Sequence, residues 1–222
     1  MLSITSKISN MIACRSHLLR GKRGNVVSPS QLNKKWFINR KPANLQKIKI
    51  LYVGRIKIEK GVFSLLSLFK KINEDIKIKI VNSEKNYDSN LKIKNVEIVH
   101  FKNINDSIIS VYDNHNIFIL PSFTEAHPQV LDESLARLRP VIIFSEISHV
   151  KRNREGIFEA ERNHTSLKRV IKFIMENYSK IQNSMRKNNL PTKESFLKEI
   201  TEILKKLKKL KFLLCAEERV KE

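Results

Sequence analysis

Ile48-Lys49-Ile50-Leu51-Tyr52-Val53-Gly54-Arg55-Ile56-Lys57-Ile58-Glu59-Lys60-Gly61 is a short, mostly β-branched run that stops at a glycine and gives way to a charged turn. A run of this kind bounded by glycine reads as a buried strand over Ile48–Val53. Phe63, Leu66 and Phe69 then recur at helical spacing, which predicts a helix over Val62–Ile72. The same alternation continues outward. Ile76–Val81 and Val96–Phe101 read as strands, Asp106 as the cap of a helix through Tyr112, and Ile117–Leu120 as a strand halted by Pro121. Pro128 suits the first position of a helix, where a missing N–H costs nothing; that helix is expected to reach Arg137 and to lead into a strand over Pro140–Phe144. Strands alternating with helices imply an α/β fold with a parallel sheet flanked by helices. Ligands of such sheets bind beyond the carboxyl ends of the strands, which directs attention to the segments after Val53, Phe101, Leu120 and Phe144.

The 222-residue chain suits one α/β domain with extensions. An apolar content of 41% argues against disorder over most of its length. Three zones are expected: a basic, polar segment 1–46, a domain over 47–190, and a basic amphipathic helix within 191–222. The first acidic residue is Glu59, and residues 151–222 read as charged and mainly helical. Cys14 and Cys215 form no disulfide or zinc pattern, so a reducing cytoplasm is the expected location. No stretch of about 20 apolar residues suggests a membrane span. The start of the chain lacks a secretory pattern, and its composition leaves an organellar transit peptide open. The net charge of +21 favours anionic partners, yet Lys is scattered through nearly every segment, and a composition biased to Lys, Ile and Asn accounts for it equally well.

Two segments carry chemistry. In the turn after Val53, Gly54 permits close approach to backbone, and Arg55 and Lys60 flank a helix N-terminus that itself favours an anion, a combination suited to a diphosphate. The alternative is that both are ordinary solvated charges. The second segment runs Pro121-Ser122-Phe123-Thr124-Glu125-Ala126-His127-Pro128-Gln129-Val130-Leu131-Asp132-Glu133. A helix opening at Pro128 would turn the N–H groups of Gln129, Val130 and Leu131 toward the crevice. Glu133 could accept two hydrogen bonds from a vicinal diol such as a ribose, or be a plain surface charge. No D-x-D metal motif is present.

These two segments, in this order and about seventy residues apart, resemble the retaining glycosyltransferases of the GT-B fold, known as family 4 or group 1. Ile50–Arg55 with Glu59-Lys60-Gly61 is similar to the donor-phosphate loop. Ile117–Ser122 is similar to the strand before the site, Glu125 and Glu133 have seven residues between them as in the E-x7-E motif, and Pro140-Val141-Ile142 is similar to the strand that follows. The resemblance covers roughly 26–204 and implies a Rossmann-like, nucleotide-sugar-binding domain, the C-terminal half of a GT-B fold. It implies that Arg55 and Lys60 hold the diphosphate, that Glu125 contacts the sugar near its reacting end, and that Glu133 binds the ribose. Backbone amides from His127 to Leu131 would hold oxygens, the His127 ring is a candidate sugar donor, and the base would lie near Phe101 and Lys102. Catalysis would then rest on Glu125, Arg55 and Lys60, without metal or cofactor, and with transfer to a glycan or lipid-linked acceptor.

The chain departs from the family pattern at Ala126 and Pro128, where small or glycine residues are frequent. It departs more in length: little of an acceptor-binding domain fits into the first 46 residues, where Val26–Ser30 and Trp36 resemble its end and the linker. A fragment, a split enzyme with a separate acceptor-domain polypeptide, or a decayed gene is therefore expected. Phe196, Leu197, Ile200, Ile203, Leu204, Leu207, Leu210 and Leu214 recur at helical spacing among lysines. Such a helix packs on its own domain or lies on an anionic membrane, which makes peripheral attachment at an inner membrane face the alternative location. Two rivals stand beside the transferase: a module that binds nucleotide sugar without transferring it, and a nucleic-acid-binding protein. The latter rests on charge alone and lacks a recognition helix, aromatic sheet signature or zinc site.

Overall fold

The computed structural model describes residues 11–14, 19–21, 24–72, 76–84, 93–103 and 107–219, with side chains of the final helix described as far as Leu207. Lys34–Leu190 forms one compact unit; Met1–Asn33 with Pro191–Glu222 forms the other. In the smaller unit, strands β1 (Met11–Ala13) and β2 (Gly24–Val26) pair in parallel, in a stretch read from sequence only as basic and polar. The Ser30 hydroxyl donates to the Pro191 carbonyl at 2.7 Å and the Lys193 N–H to the Leu32 carbonyl at 2.7 Å. The latter bond opens the last helix, Lys193–Arg219. Leu210, Leu214 and Lys208, Lys209 and Lys211, which completed the predicted amphipathic pattern, have side chains outside those described.

The larger unit is built on six parallel strands: β3 (Ile48–Gly54), β4 (Ile76–Asn82), β5 (Val96–His100), β6 (Ile117–Leu120), β7 (Val141–Phe144) and β8 (Ile157–Ala160). Their order across the sheet is β5-β4-β3-β6-β7-β8. This is the α/β fold expected, and its physics follows from the pattern. β6 and β7 are buried at every residue, as continuous apolar runs must be when helices cover both faces. At one edge, β8 leaves Glu159 exposed and Phe158 half-buried, its ring 5.8 Å from that of Phe173. Its single carboxylate and short length hid it in a region read as helical, and it is the one strand of this sheet that the sequence reading missed. The helices are α1 (Val62–Phe69), α2 (Ile108–Asp113), α3 (Gln129–Ala136), α4 (His164–Glu176) and α5 (Tyr178–Met185). Several boundaries shift from expectation. α1 ends at Phe69 rather than Ile72, and β5 ends at His100, leaving Phe101 in a 3-10 turn. α2 is capped by Ser107, whose hydroxyl accepts from the Ser110 N–H; Asp106 lies outside the described residues.

Residues 36–41, expected to belong to a separate segment, are stitched to the sheet by two buried arginines. Arg137 forks onto Asp113 (2.9 and 2.7 Å) and donates to the carbonyls of Trp36, Ile38 and Asn39. Arg139 donates to the carbonyls of Tyr112, Arg137, Lys41 and Asp113. Buried cations persist only where carboxylate and carbonyl oxygens replace water. The Trp36 ring meets Tyr112 edge-on at 5.6 Å.

His115, just beyond α2, donates from Nδ1 to the Val111 carbonyl at 2.6 Å. Burial pushes its pKa down to about 4, and the charges of Lys79 and Lys49 add to the shift. The folded state therefore holds His115 neutral while the unfolded chain protonates it near pH 6.5. Its contribution to stability is whole above that pH and is lost as pH falls through 6.5 toward 4. We expect wild type to lose about 2 kcal/mol more than His115→Asn between pH 7 and pH 5, read as the shift in urea midpoint at each pH.

Candidate active site

In this strand order the sequence direction reverses between β3 and β6, which are neighbours although α1, β4, β5 and α2 intervene in the chain. A crevice opens at such a reversal beyond the carboxyl ends of the two strands. Both predicted motif loops leave the sheet there. Gly61 joins them. It caps α1 with φ +68°, and a Cβ added to it would stand 1.8 Å from the Pro121 carbonyl oxygen. The Phe123 N–H donates to the Glu59 carbonyl at 3.0 Å, so residues 59–61 lie directly against 121–123.

That contact brings Lys60 to Glu125. Nζ and Oε1 are 2.6 Å apart, and the Ser122 hydroxyl donates to the same oxygen at 2.7 Å. The two side chains are 21% and 12% exposed, so the pair is largely shielded from water. His149 Nε2 donates to the Glu125 carbonyl at 2.7 Å and steadies the loop from the β7 side.

The other predicted residues have their own partners, and among the described residues no contact joins Arg55 or Glu133 to the Lys60–Glu125 pair. Arg55 is exposed and faces Glu59 at 3.9 Å. The space a Gly54 side chain would take is filled by the Tyr52 hydroxyl, 2.6 Å from an ideal Cβ, which donates to the Arg55 carbonyl. An internal neighbour thus restricts position 54 to glycine, beside the close ligand approach that glycine permits. Glu133 accepts from the Tyr112 hydroxyl at 2.8 Å. Burial raises the Glu133 carboxyl above the usual range, and the Tyr112 hydrogen bond opposes that shift. Burial also holds the Tyr112 phenol protonated, so its hydroxyl donates to the ionised Glu133 carboxylate. Phe101 is half-exposed in the turn after β5, two strand spacings from β3, roughly 10 Å.

The start of α3 differs from expectation. Pro128 is the N-cap, with φ −74° and ψ 110°, and Gln129 is the first helical residue. Leu131 was expected to offer a free amide; its N–H donates to the Pro128 carbonyl at 3.2 Å. Val130 is half-buried beside it, and its carbonyl lies 3.3 Å from the Tyr112 hydroxyl. His127, a candidate donor to the sugar, turns inward. It is 6% exposed, with Nε2 3.3 Å from the buried Asp132 and Nδ1 3.3 Å from Arg152. Asp132 also pairs with Arg154. Arg154 supplies the counter-charge that a buried carboxylate needs.

One rim residue escaped the sequence reading altogether. Arg162, in the turn after β8, forks onto Glu146 (2.7 and 3.1 Å) and lies over the rings of Phe123 and Phe144 at 4.1 and 4.3 Å. Its hydrogen bonds hold the Glu146 carboxyl below the usual range. With β8 unread, nothing local marked Arg162 as lying at the strand ends. Among the described residues, no three His, Cys, Asp or Glu side chains gather so as to hold a metal ion. No helix among them is long and apolar enough to cross a membrane.

The family model for glycosyl transferases group 1 matches residues 34–190, the whole sheet unit. The chain belongs to the group 1 glycosyltransferases. Solved GT-B glycosyltransferases share the fold. A glycosyltransferase from Rickettsia africae ESF-5 is 20% identical with a TM-score of 0.70, the match covering 92% of this chain and 65% of that one. Sucrose-phosphate synthase from Thermosynechococcus elongatus is 16% identical with a TM-score of 0.67, covering 88% and 57%. Anabaena Alr3699/HepE, solved in complex with UDP and glucose, is 12% identical with a TM-score of 0.68, covering 89% and 63%. This glycosyltransferase chain therefore spans about three-fifths of the length of these structures. No curated protein matches it in sequence.

Proposed function

We propose that this chain supplies the nucleotide-sugar-binding half of a retaining glycosyltransferase, with the donor lying across the β3–β6 crevice. The observation that carries the reading is the Lys60–Glu125 contact: a cation for the diphosphate and a carboxylate for the sugar, presented side by side at the strand reversal. Breaking the sugar–phosphate bond leaves negative charge on the departing diphosphate, and Lys60, Arg55 and the first turn of α3 stabilise it without metal or cofactor. Glu133 takes the ribose hydroxyls, its second oxygen already fixed by Tyr112. The base extends toward Phe101. The acceptor is a glycan or a lipid-linked sugar, bound by an acceptor half in the same or a separate polypeptide. The last helix, with Leu197 and Leu204 exposed beside Lys193, Lys198 and Lys205, would meet an anionic inner membrane face.

Glu133→Ala is expected to weaken UDP-glucose binding by on the order of 100-fold or more, two charge-assisted hydrogen bonds at roughly 1.5–3 kcal/mol each, measured by isothermal titration. The diol donates to an ionised carboxylate, and burial keeps Glu133 protonated to higher pH than usual. Affinity should therefore rise with pH through that titration, and Glu133→Gln should flatten the rise. Equal affinity of the alanine variant would defeat the ribose role. Binding without sugar release, when acceptors and acceptor half are supplied, would favour a module that holds donor but does not transfer it.

A further inference from the structure

Three other cations among the described residues of this rim have carboxylate partners. Arg55 faces Glu59 at 3.9 Å, Lys57 faces Glu84 at 3.2 Å, and Arg162 faces Glu146 at 2.7 Å. In those pairs the carboxylate is at least a third exposed and can fall back on water. Lys60–Glu125 is different. It is the shortest of the four, its carboxylate is only 12% exposed, and one oxygen receives both Nζ and the Ser122 hydroxyl. An ion pair in such a place is costly to break by removing one partner, because the charge left behind is neither paired nor well hydrated.

We propose that the Lys60–Glu125 pair is a charge latch that makes diphosphate affinity depend on the attached sugar. The proposal rests on the donor reading above. A diphosphate that recruits Lys60 takes the cation from Glu125. A bare diphosphate gives the carboxylate nothing in return, and only the Ser122 hydroxyl remains on it. A nucleotide sugar brings hydroxyl donors to the same place and replaces the lost partner. The pair thus competes internally with any phosphate ligand, and the sugar relieves that competition. After transfer the sugar is gone, Lys60 returns to Glu125, and the leaving diphosphate is loosened. Discrimination between donor and spent nucleotide then comes from the price of a stranded charge, with no separate recognition of the product.

The test is isothermal titration of inorganic pyrophosphate, UDP and UDP-glucose into wild type, Glu125→Gln, Lys60→Gln and the double variant, each first shown to unfold cooperatively on heating. Glutamine keeps the shape and the Ser122 contact while removing the charge that competes for Lys60. The latch predicts that Glu125→Gln binds pyrophosphate and UDP about 10-fold tighter than wild type, while its preference for UDP-glucose over UDP shrinks. It predicts further that the gain disappears when Lys60→Gln is already present, since no cation is left to compete for. Unchanged or weaker pyrophosphate and UDP binding by Glu125→Gln overturns the latch. So does an equal gain in the Lys60→Gln background, which is simple removal of repulsion. A folded wild type that binds none of the three probes removes the donor reading, and the latch with it.

Discussion

Asp113→Ala should lower stability by about 3–5 kcal/mol, a large part of the total for a domain of this size. Among the described residues, Asp113 is the single carboxylate for two buried guanidinium groups, Arg137 at 2.7 Å and Arg139 at 3.8 Å. Both arginines are 1% exposed, so neither can turn to water when the carboxylate is removed. Burial, with the neighbouring Arg137 charge adding to it, lowers the Arg139 pKa even with Asp113 beside it, a sign that its charge is held against a desolvation penalty. The arginines also carry the carbonyls of Trp36, Ile38, Asn39 and Lys41, so losing their anchor should loosen residues 36–41 from the sheet. Urea unfolding followed by circular dichroism measures the loss, and Trp36 fluorescence reports the loosening. Arg137→Met combined with Asp113→Ala should recover part of the loss, because it removes one stranded cation. A single variant within about 1 kcal/mol of wild type would show that water reaches the cluster.

This cluster also marks the limit of what the sequence disclosed. Ile50, Tyr52, Ile78, Phe118 and Ile142 are read as core at sight, because continuous β-branched and aromatic runs have no stable place but between two helical layers. Arg137 and Arg139 carry the opposite signature. Arginine is read as surface unless its oxygens are known, and those oxygens lie up to 101 residues away. The same reason separates the legible part of the site from the rest. Lys60 and Glu125 were found through motif spacing, and each sits where its motif puts it, after a strand. Their direct contact spans 65 residues and follows only once β3 and β6 are adjacent. The burial of the His127 side chain beside Asp132 was not legible either, because nothing in the helical pattern marks Asp132 as a buried acid. Arg162 was illegible for a plainer reason: its strand is four residues long with a carboxylate in it.

Gly61→Ala should cost about 4 kcal/mol and abolish nucleotide-sugar binding, the largest effect expected of any single methyl group in this chain. Two penalties add. Its φ of +68° is left-handed, which costs a side chain roughly 1–2 kcal/mol. The new Cβ would also lie 1.8 Å from the Pro121 carbonyl oxygen and 2.7 Å from its carbon. Those atoms are backbone at the end of a buried strand, so the two loops must part. Parting them pulls Lys60 from Glu125 and Glu59 from the Phe123 N–H. Gly156→Ala supplies the control. Its φ of +84° carries the same conformational penalty, but its Cβ would meet the Met185 side chain, 2.4 Å from Cγ and 2.6 Å from Sδ. A thioether chain with several rotatable bonds gives way more readily than strand-end backbone, so that variant should lose less stability than Gly61→Ala and keep its affinity for UDP-glucose. Urea midpoints and titration with UDP-glucose on both variants separate the two penalties. If Gly61→Ala matched Gly156→Ala in stability and bound donor like wild type, the close seating of the two loops at the strand reversal would be wrong, and with it the geometry that brings the cation to the carboxylate.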